Sequence, residues 1–365
     1  MANYVIFGGT FDPVHNGHLR ICEAAAKKFD ASIILVPSKS PRWKSPEETS
    51  NQRLDMLKIA LKDVSFKYEI CDFEINSKEE INYSIDTVKH LKNLHNEDNL
   101  YFLIGGDQVN KFQDWKDAEE IAKLAQVVYC SRPGLDINRV NIEKFKMVSL
   151  DFFESGEVSS TAIREMKSVD LPLEVLYYIE KNRLYFVKKV ASFIPEKRLN
   201  HSIEVANLSL EVAKVNKLEP LYKYYFAALL HDLGKGYYKE DLNLLKLMKE
   251  HYPEYLDIPN FAYHQFAGEY FAKEKLGVTD PEILDAIKFH CTGKANMSPL
   301  GMVVYACDKI EPTREFDSTW LINACMKDWK EGFLTTLEDN KKYLLGAKKD
   351  ITNRLTDECF AMYLK

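Results

Sequence analysis

Cysteine is scarce and unpatterned. The chain holds seven in 365 residues, an odd number with no Cys-x-x-Cys, which argues against a disulfide framework or a cysteine-rich zinc module. Positive charge is not in excess either. Lys and Arg total 49 against 55 Asp and Glu, for a net charge of −6, and neither half of the chain is basic. A broad electrostatic grip on nucleic acid or an anionic membrane is therefore not expected. No apolar run reaches the ~18–20 residues that cross a bilayer. The opening Met1-Ala-Asn-Tyr-Val-Ile-Phe has neither the basic flank nor the cleavage site of a signal peptide. Internal repeats and low-complexity linkers are also missing. What is there is an ordinary globular composition, 46% hydrophobic and 28% charged. At about 150 residues per domain, the length suggests two domains. The expectation is a soluble, cytoplasmic, two-domain protein with no nucleic-acid or membrane partner.

The two parts differ in texture. Before residue 187, short apolar runs at 4–7, 33–36, 101–104 and 127–130 are bounded by Gly or Pro, as buried parallel strands are. Helical periodicity lies between them, at 52–61 and 85–94. This alternation predicts an α/β domain with a doubly wound parallel sheet and ligands at the carboxyl ends of its strands. After about 190 the strand signals fade, and 201–215, 221–233, 281–290 and 300–310 read as helices. The second part is predicted to be all-α. The boundary falls near 184–192, giving domains 1–187 and 188–365, and the final 317–365 is helix-like.

Gly8-Gly9-Thr10-Phe11-Asp12-Pro13-Val14-His15-Asn16-Gly17-His18 follows the first strand directly and opens a helical stretch at 19–29. Gly8 and Gly9 remove Cβ atoms where a backbone must approach phosphates. His15 and His18, three apart, share a helix face beside an N-terminus that favours anions. Glycine as turn punctuation and histidine as a surface residue would be the bland reading of either feature alone. Strand, glycines, His-x-Gly-His and helix in this order favour a phosphate cradle.

This segment resembles the nucleotidyltransferase superfamily signature. Arg53-Leu-Asp-Met-Leu57, Asn82-Tyr-Ser-Ile-Asp-Thr87, Ile104-Gly-Gly-Asp107 with Trp115, Arg132-Pro-Gly134 and Val158-Ser-Ser-Thr-Ala-Ile-Arg164 narrow the resemblance to bacterial nicotinate-nucleotide adenylyltransferases. Phosphopantetheine adenylyltransferase, which shares His-x-Gly-His, is a poorer match. The resemblance implies a Rossmann-like domain that joins ATP, as its Mg²⁺ complex, to nicotinate mononucleotide. It implies that Gly8, Gly9 and Thr10 cradle phosphate, that His15 and His18 contact ATP phosphates, and that His18 stabilises the transition state. Ser159, Ser160 and Thr161 would form an N-cap cluster opening the helix of Arg164, and together these four would hold the β- and γ-phosphates. Lys44 would approach phosphate, and Tyr83, Asp107 and Trp115 would surround the nicotinate nucleotide. Read alone, Tyr83 and Trp115 serve equally as core aromatics, and Lys44 as one more solvated lysine. Two departures, Ser40-Pro-Arg-Trp-Lys44 and Asn82, leave the acid-versus-amide preference open.

In the second part His201, His231-Asp232, His264, His290 and Asp308 are widely spaced. Such spacing bars a local zinc-finger loop and suits ligands projecting inward from several packed helices. One His-Asp dipeptide alone is weak, and a buried histidine more often satisfies a structural hydrogen bond. His251 fits no pattern and is read as structural. Glu196-Lys-Arg-Leu-Asn-His201, His231-Asp-Leu-Gly-Lys235, Tyr263-His264, His290-Cys-Thr-Gly293 and Asp308-Lys-Ile-Glu-Pro312 together resemble the HD phosphohydrolases. Within these, they are most similar to the branch that cleaves diadenosine tetraphosphate symmetrically. The resemblance implies an HD helical bundle in which those six residues hold two divalent transition metals, iron first and manganese second. The substrate would be a dinucleoside polyphosphate. Arg198, Lys235 and Arg314 are candidate phosphate contacts, with a solvated role equally open to each. Hydrolysis of another nucleotide, or nucleotide-binding regulation of the transferase, are the alternatives; the full ligand set favours hydrolysis.

Overall fold

A computed structural model describes residues 1–39, 45–79, 81–131, 134, 136–153, 158–239, 244–346 and 353–364. Contacts divide the chain into Met1–Tyr185 and Phe186–Lys365, two residues short of the division read from sequence.

The first unit is built on a six-stranded sheet. Its strands are β1 (Asn3–Gly9), β2 (Ser32–Pro37), β3 (Tyr68–Ile70), β4 (Asn99–Gly105), β5 (Gln126–Ser131) and β6 (Val148–Phe153). The order is β3-β2-β1-β4-β5-β6, and every neighbouring pair is parallel. Ile6 on β1 and Ile34 and Val36 on β2 pack on one face, with the helix Ser84–Leu94. Their sequence neighbours Val5, Ile33 and Leu35 are equally buried, so both faces are covered and the strands are apolar without alternation. β3 and β6, at the sheet edges, were not picked out by the sequence reading. β3 is short and reads Tyr-Glu-Ile, and β6 mixes Ser149 and Asp151 into its run. The order reverses between β1 and β4, and the crevice at their carboxyl ends is where such sheets take ligands.

The second unit is helical. His201 lies on the helix Glu196–Val215 and His264 on Tyr263–Glu274. Leu221–Leu230 ends just before His231, Pro281–Phe289 just before His290, and Pro299–Ile310 carries Asp308. Asp280 and Ser298 cap the last two helices by accepting from Glu282 N and Gly301 N, each followed by proline. Tyr224 to Leu230 are all buried, so this helix is apolar all round and central. It stops three residues earlier than the periodicity predicts, because a 3₁₀ turn, Leu233–Lys239, follows the His-Asp pair. The helix-like tail forms Thr319–Lys327, Trp329–Gly346 and Arg354–Tyr363. Phe333, Leu337, Cys359 and Phe360 from it pack on Met302 and Tyr305, bracing the helix of Asp308. All seven cysteines are free thiols. Among the described residues no helix is long and apolar enough to cross a membrane.

Candidate active sites

In the first unit, a cavity of about 330 Å³ opens at the β1/β4 crevice. Gly8, Gly9 and Thr10 line it from the end of β1, and Tyr83 and Trp115 from beyond β3 and β4. Trp115 is held edge-on to Phe102, with centroids 6.1 Å apart, and Lys116 Nζ stands 4.2 Å above the Tyr83 ring. Asp107 is exposed and outside the lining, which passes through its neighbours Gly105 and Gln108. A Cβ at Gly105 would stand 2.6 Å from Asp107 Oδ1. Glu74 and Asn82 also line the cavity; Glu74 accepts from Thr87 Oγ1 at 2.7 Å, and burial raises its pKa.

His15 is the N-cap of the helix Asn16–Phe29 and is 5% exposed. The His18 ring stacks on it, with centroids 3.7 Å apart, and meets Phe11 edge-on at 5.1 Å. His15 N donates to His18 Nδ1 at 3.2 Å. Nδ1 is thus an acceptor, so the neutral ring carries its proton on Nε2. Ser159 caps the helix Ser160–Arg164 through Ala162 N at 3.0 Å, and Ser160 Oγ donates to Pro13 O at 2.9 Å. Thr161 Oγ1 accepts from Arg164 Nη2 at 3.3 Å. Arg164 Nη1 donates to Asp12 O at 2.6 Å, and its Nε lies 3.1 Å from Glu47 Oε2. Lys44 and the Arg132-Pro133 pair fall outside the described residues.

Arg53, whose function the sequence reading left unassigned, is fully buried. It donates to Thr10 O (2.5 Å), Lys39 O (3.0 Å), Ser50 Oγ (3.1 Å) and Glu48 O (3.3 Å), tying the glycine loop to the chain after β2. Burial lowers its pKa, opposed by the charge of Asp12. The signal was an arginine on the buried face otherwise formed by Met56, Leu57 and Ala60.

In the second unit all six predicted residues converge. Three overlapping triads, His201/His231/Asp232, His231/His290/Asp308 and Asp232/His264/His290, each bring their ligand atoms within 4.8 Å of one another. Asp232 Oδ1 lies 3.6 Å from both His264 Nε2 and His290 Nε2, while Oδ2 lies 3.7 Å from His231 Nε2. Asp308 Oδ1 lies 3.1 Å from His201 Nε2 and 3.4 Å from His231 Nε2. One carboxylate therefore faces both halves of the cluster.

The imidazoles are aimed by the backbone. Nδ1 of His231, His264 and His290 pairs with the carbonyls of Ala228 (2.6 Å), Phe261 (2.8 Å) and Ile287 (2.7 Å). A carbonyl only accepts, so each Nδ1 carries hydrogen, and each ring when neutral presents the lone pair of Nε2. His231 and His290 follow their helices directly and thereby satisfy last-turn carbonyls. His201 Nδ1 instead faces buried Glu311 at 3.0 Å. Burial lowers the His201 pKa, but the bonds to Asp308 and Glu311 outweigh it and raise the value to about 9. Burial, with His290 and Lys235 nearby, drives His264 down to about 3. Burial opposes ionisation of Asp232, yet the His231 charge and the His290 bond hold its pKa well below the usual carboxylate range. His231 Nε2 is buried without a hydrogen-bond partner and faces two carboxylate oxygens. That arrangement of donors fits a divalent cation.

Glu311 was missed as a functional residue, although it stands three positions beyond Asp308, the same-face helical spacing. Arg198 Nη1 lies 3.3 Å from Asp232 Oδ2 and Arg314 Nη2 2.9 Å from Asp308 Oδ1, so both candidate phosphate contacts adjoin ligand carboxylates. Lys235 N donates to Asp232 O at 2.9 Å. Gly234 lets this turn lie against the helix of His264: a Cβ there would stand 2.0 Å from His264 O. Gly234→Ala is expected to destabilise the second unit by about 3 kcal/mol, read as a lowered melting transition in calorimetry.

Residues 6–166 match the cytidylyltransferase-like family and residues 198–313 the HD domain. A Mycoplasma genitalium protein named probable nicotinate-nucleotide adenylyltransferase/Ap4A hydrolase is 32% identical over 359 residues, covering 95% of this chain and 99% of its own. A Mycoplasma pneumoniae protein of the same name is 31% identical, covering 95% and 100%. A Clostridium tetani protein named probable nicotinate-nucleotide adenylyltransferase is 36% identical over 176 residues, 45% of this chain and 86% of its own. With a cytidylyltransferase-like segment, an HD segment and similarity along nearly its whole length, the chain belongs to the nicotinate-nucleotide adenylyltransferase/Ap4A hydrolase family.

Proposed function

We propose that the chain is a bifunctional enzyme. Residues 1–187 transfer AMP from ATP to nicotinate mononucleotide, giving deamido-NAD and pyrophosphate. Residues 188–365 hydrolyse diadenosine tetraphosphate to two ADP. The observation that supports the first activity is the cavity shared by the glycine loop, Tyr83 and Trp115, with the His18 ring 6.0 Å from that of Phe7, which also lines it. The second rests on the six converging ligands.

In the transfer, the phosphate of nicotinate mononucleotide attacks the α-phosphorus of ATP in line, and the bond to the β-phosphate oxygen breaks. The nucleophile is already an anion, so no side chain need take a proton from it. Positioning and charge stabilisation then carry the catalysis. His18, with its proton on Nε2, donates to the reacting phosphate, and His15 fixes the ring by stacking. Gly8, Gly9 and Thr10 admit the phosphates; Ser159, Ser160, Thr161 and Arg164 hold the β- and γ-groups. ATP arrives with Mg²⁺. Trp115 and Tyr83 take the nicotinate ring, with Asp107 at the mouth of the cavity.

In the second unit His201, His231, Asp232 and Asp308 would hold one cation and Asp232, His264 and His290 the other, iron or manganese. Bound there, the cations supply water made nucleophilic at neutral pH and positive charge for the phosphate. Asp232, whose oxygens face both triads, would serve both positions, Glu311 would orient His201, and Arg198, Lys235 and Arg314 would line the approach with positive charge.

The test is product analysis on the purified full chain. ATP, Mg²⁺ and nicotinate mononucleotide are expected to yield deamido-NAD and pyrophosphate. Diadenosine tetraphosphate with Mn²⁺ or anaerobic Fe²⁺ is expected to yield ADP alone. ATP plus AMP would replace symmetric by asymmetric cleavage, and no turnover with metal bound would remove this substrate.

A further inference from the structure

We propose that Tyr185 is a positioning residue for adenylyl transfer, holding Arg164 in place through Asp12. The inference rests on the transferase reading above. Tyr185 is fully buried, and its hydroxyl donates to Asp12 Oδ1 at 2.8 Å across 173 residues of sequence. Asp12 is 1% exposed and sits in the loop between the glycines and His15. Its carboxylate also accepts from Glu47 N at 2.8 Å and Glu48 N at 3.3 Å. Tyr185 N donates to Glu48 Oε1 at 3.4 Å, so the tyrosine grips both sides of this junction.

Arg164 is fastened to the same knot twice. Its Nη1 donates to the Asp12 carbonyl, and its Nε pairs with Glu47, whose own backbone is held by the Asp12 side chain. The consequence is electrostatic. A buried carboxylate needs its full set of donors, and one that loses a donor draws on the nearest cation. Here Arg164 Nη1 already lies 3.9 Å from Asp12 Oδ2. Without the tyrosine hydroxyl, the guanidinium is pulled toward Asp12 and away from the ATP phosphates. Burial and the facing Asp12 charge push the Tyr185 pKa far up, so the hydroxyl stays a donor at any working pH. A purely packing tyrosine would be replaced by phenylalanine without effect on ATP.

Steady-state kinetics on the full chain would compare wild type, Tyr185→Phe, Arg164→Lys and the double variant, varying each substrate separately. Tyr185→Phe is expected to raise KM for ATP about tenfold and to leave KM for nicotinate mononucleotide unchanged. In the Arg164→Lys background it should add no more than about twofold, since both changes act through one group. An unchanged KM for ATP, a rise for both substrates, or an equal loss in both backgrounds would overturn the proposal. Should melting show that Tyr185→Phe does not fold, Glu47→Gln releases the other hold on Arg164 from a partly exposed side chain (33%). The same selective rise is then expected, and its absence would overturn the proposal. A wild type that forms no deamido-NAD defeats the transferase reading itself and takes this inference with it.

Discussion

His18→Ala is expected to lower adenylyl transfer about 10³-fold, the upper range for removing one preorganised donor to a reacting oxyanion, while leaving hydrolysis of diadenosine tetraphosphate unchanged. The magnitude follows from how the ring is held. Stacking on His15 and edge contact with Phe11 fix its plane, and the His15 amide occupies Nδ1. The remaining nitrogen is therefore oriented before substrate arrives, at no cost during the reaction. The substitution leaves the helix itself in place, because alanine is a better helix former than histidine. Its structural cost is the side-chain partner of the His15 amide, about 1 kcal/mol. Both activities would be measured on one preparation, so hydrolysis serves as the internal check on the amount of enzyme. Loss of both in equal measure would mean that the two sites are not separate, and transfer retained within tenfold would remove His18 from the reaction.

Asp232→Ala has the second large effect. Bound metal should fall below one equivalent per chain, and hydrolysis should drop more than about 10³-fold, the loss of several kcal/mol of charge stabilisation at the phosphate. Its Oδ1 faces His264 and His290 and its Oδ2 faces His231, so one substitution weakens both halves of the cluster. Arg198 loses its ion-pair partner but is 42% exposed at the side chain and can hydrate. Elemental analysis after dialysis reports the metal and chromatography the ADP, with deamido-NAD formation expected to continue. Metal content or hydrolysis at the wild-type level would dismiss the assigned ligands.

The central strands were legible because burial on both faces makes them continuous apolar runs bounded by Gly or Pro. The edges were not: β3 has three residues, and β6 mixes polar residues into its run. The glycine loop at the sheet crevice and the convergence of the six histidine and aspartate positions could be read because residue type and local order carry them. Arg53, Tyr185 and Glu311 carried no such mark. Each acts through partners set by tertiary structure: Glu311 meets His201 across 110 residues, and Tyr185 meets Asp12 across 173. Asp107 shows the converse, since a matching motif placed it near the nucleotide but only the fold shows its carboxylate beside Gly105 at the rim. The tail from 317 onward was legible as helix, while its packing against the helix of Asp308 was not.

Three histidine side chains of the cluster are anchored at Nδ1 to main-chain carbonyls, a bond that needs no ion. Their direction is thus part of the fold, like a staple in a hairpin. With the metals proposed above, such a centre would take up and give back its ions without refolding, its occupancy would follow the ambient supply of divalent cations, and chelation should silence hydrolysis reversibly rather than denature the chain.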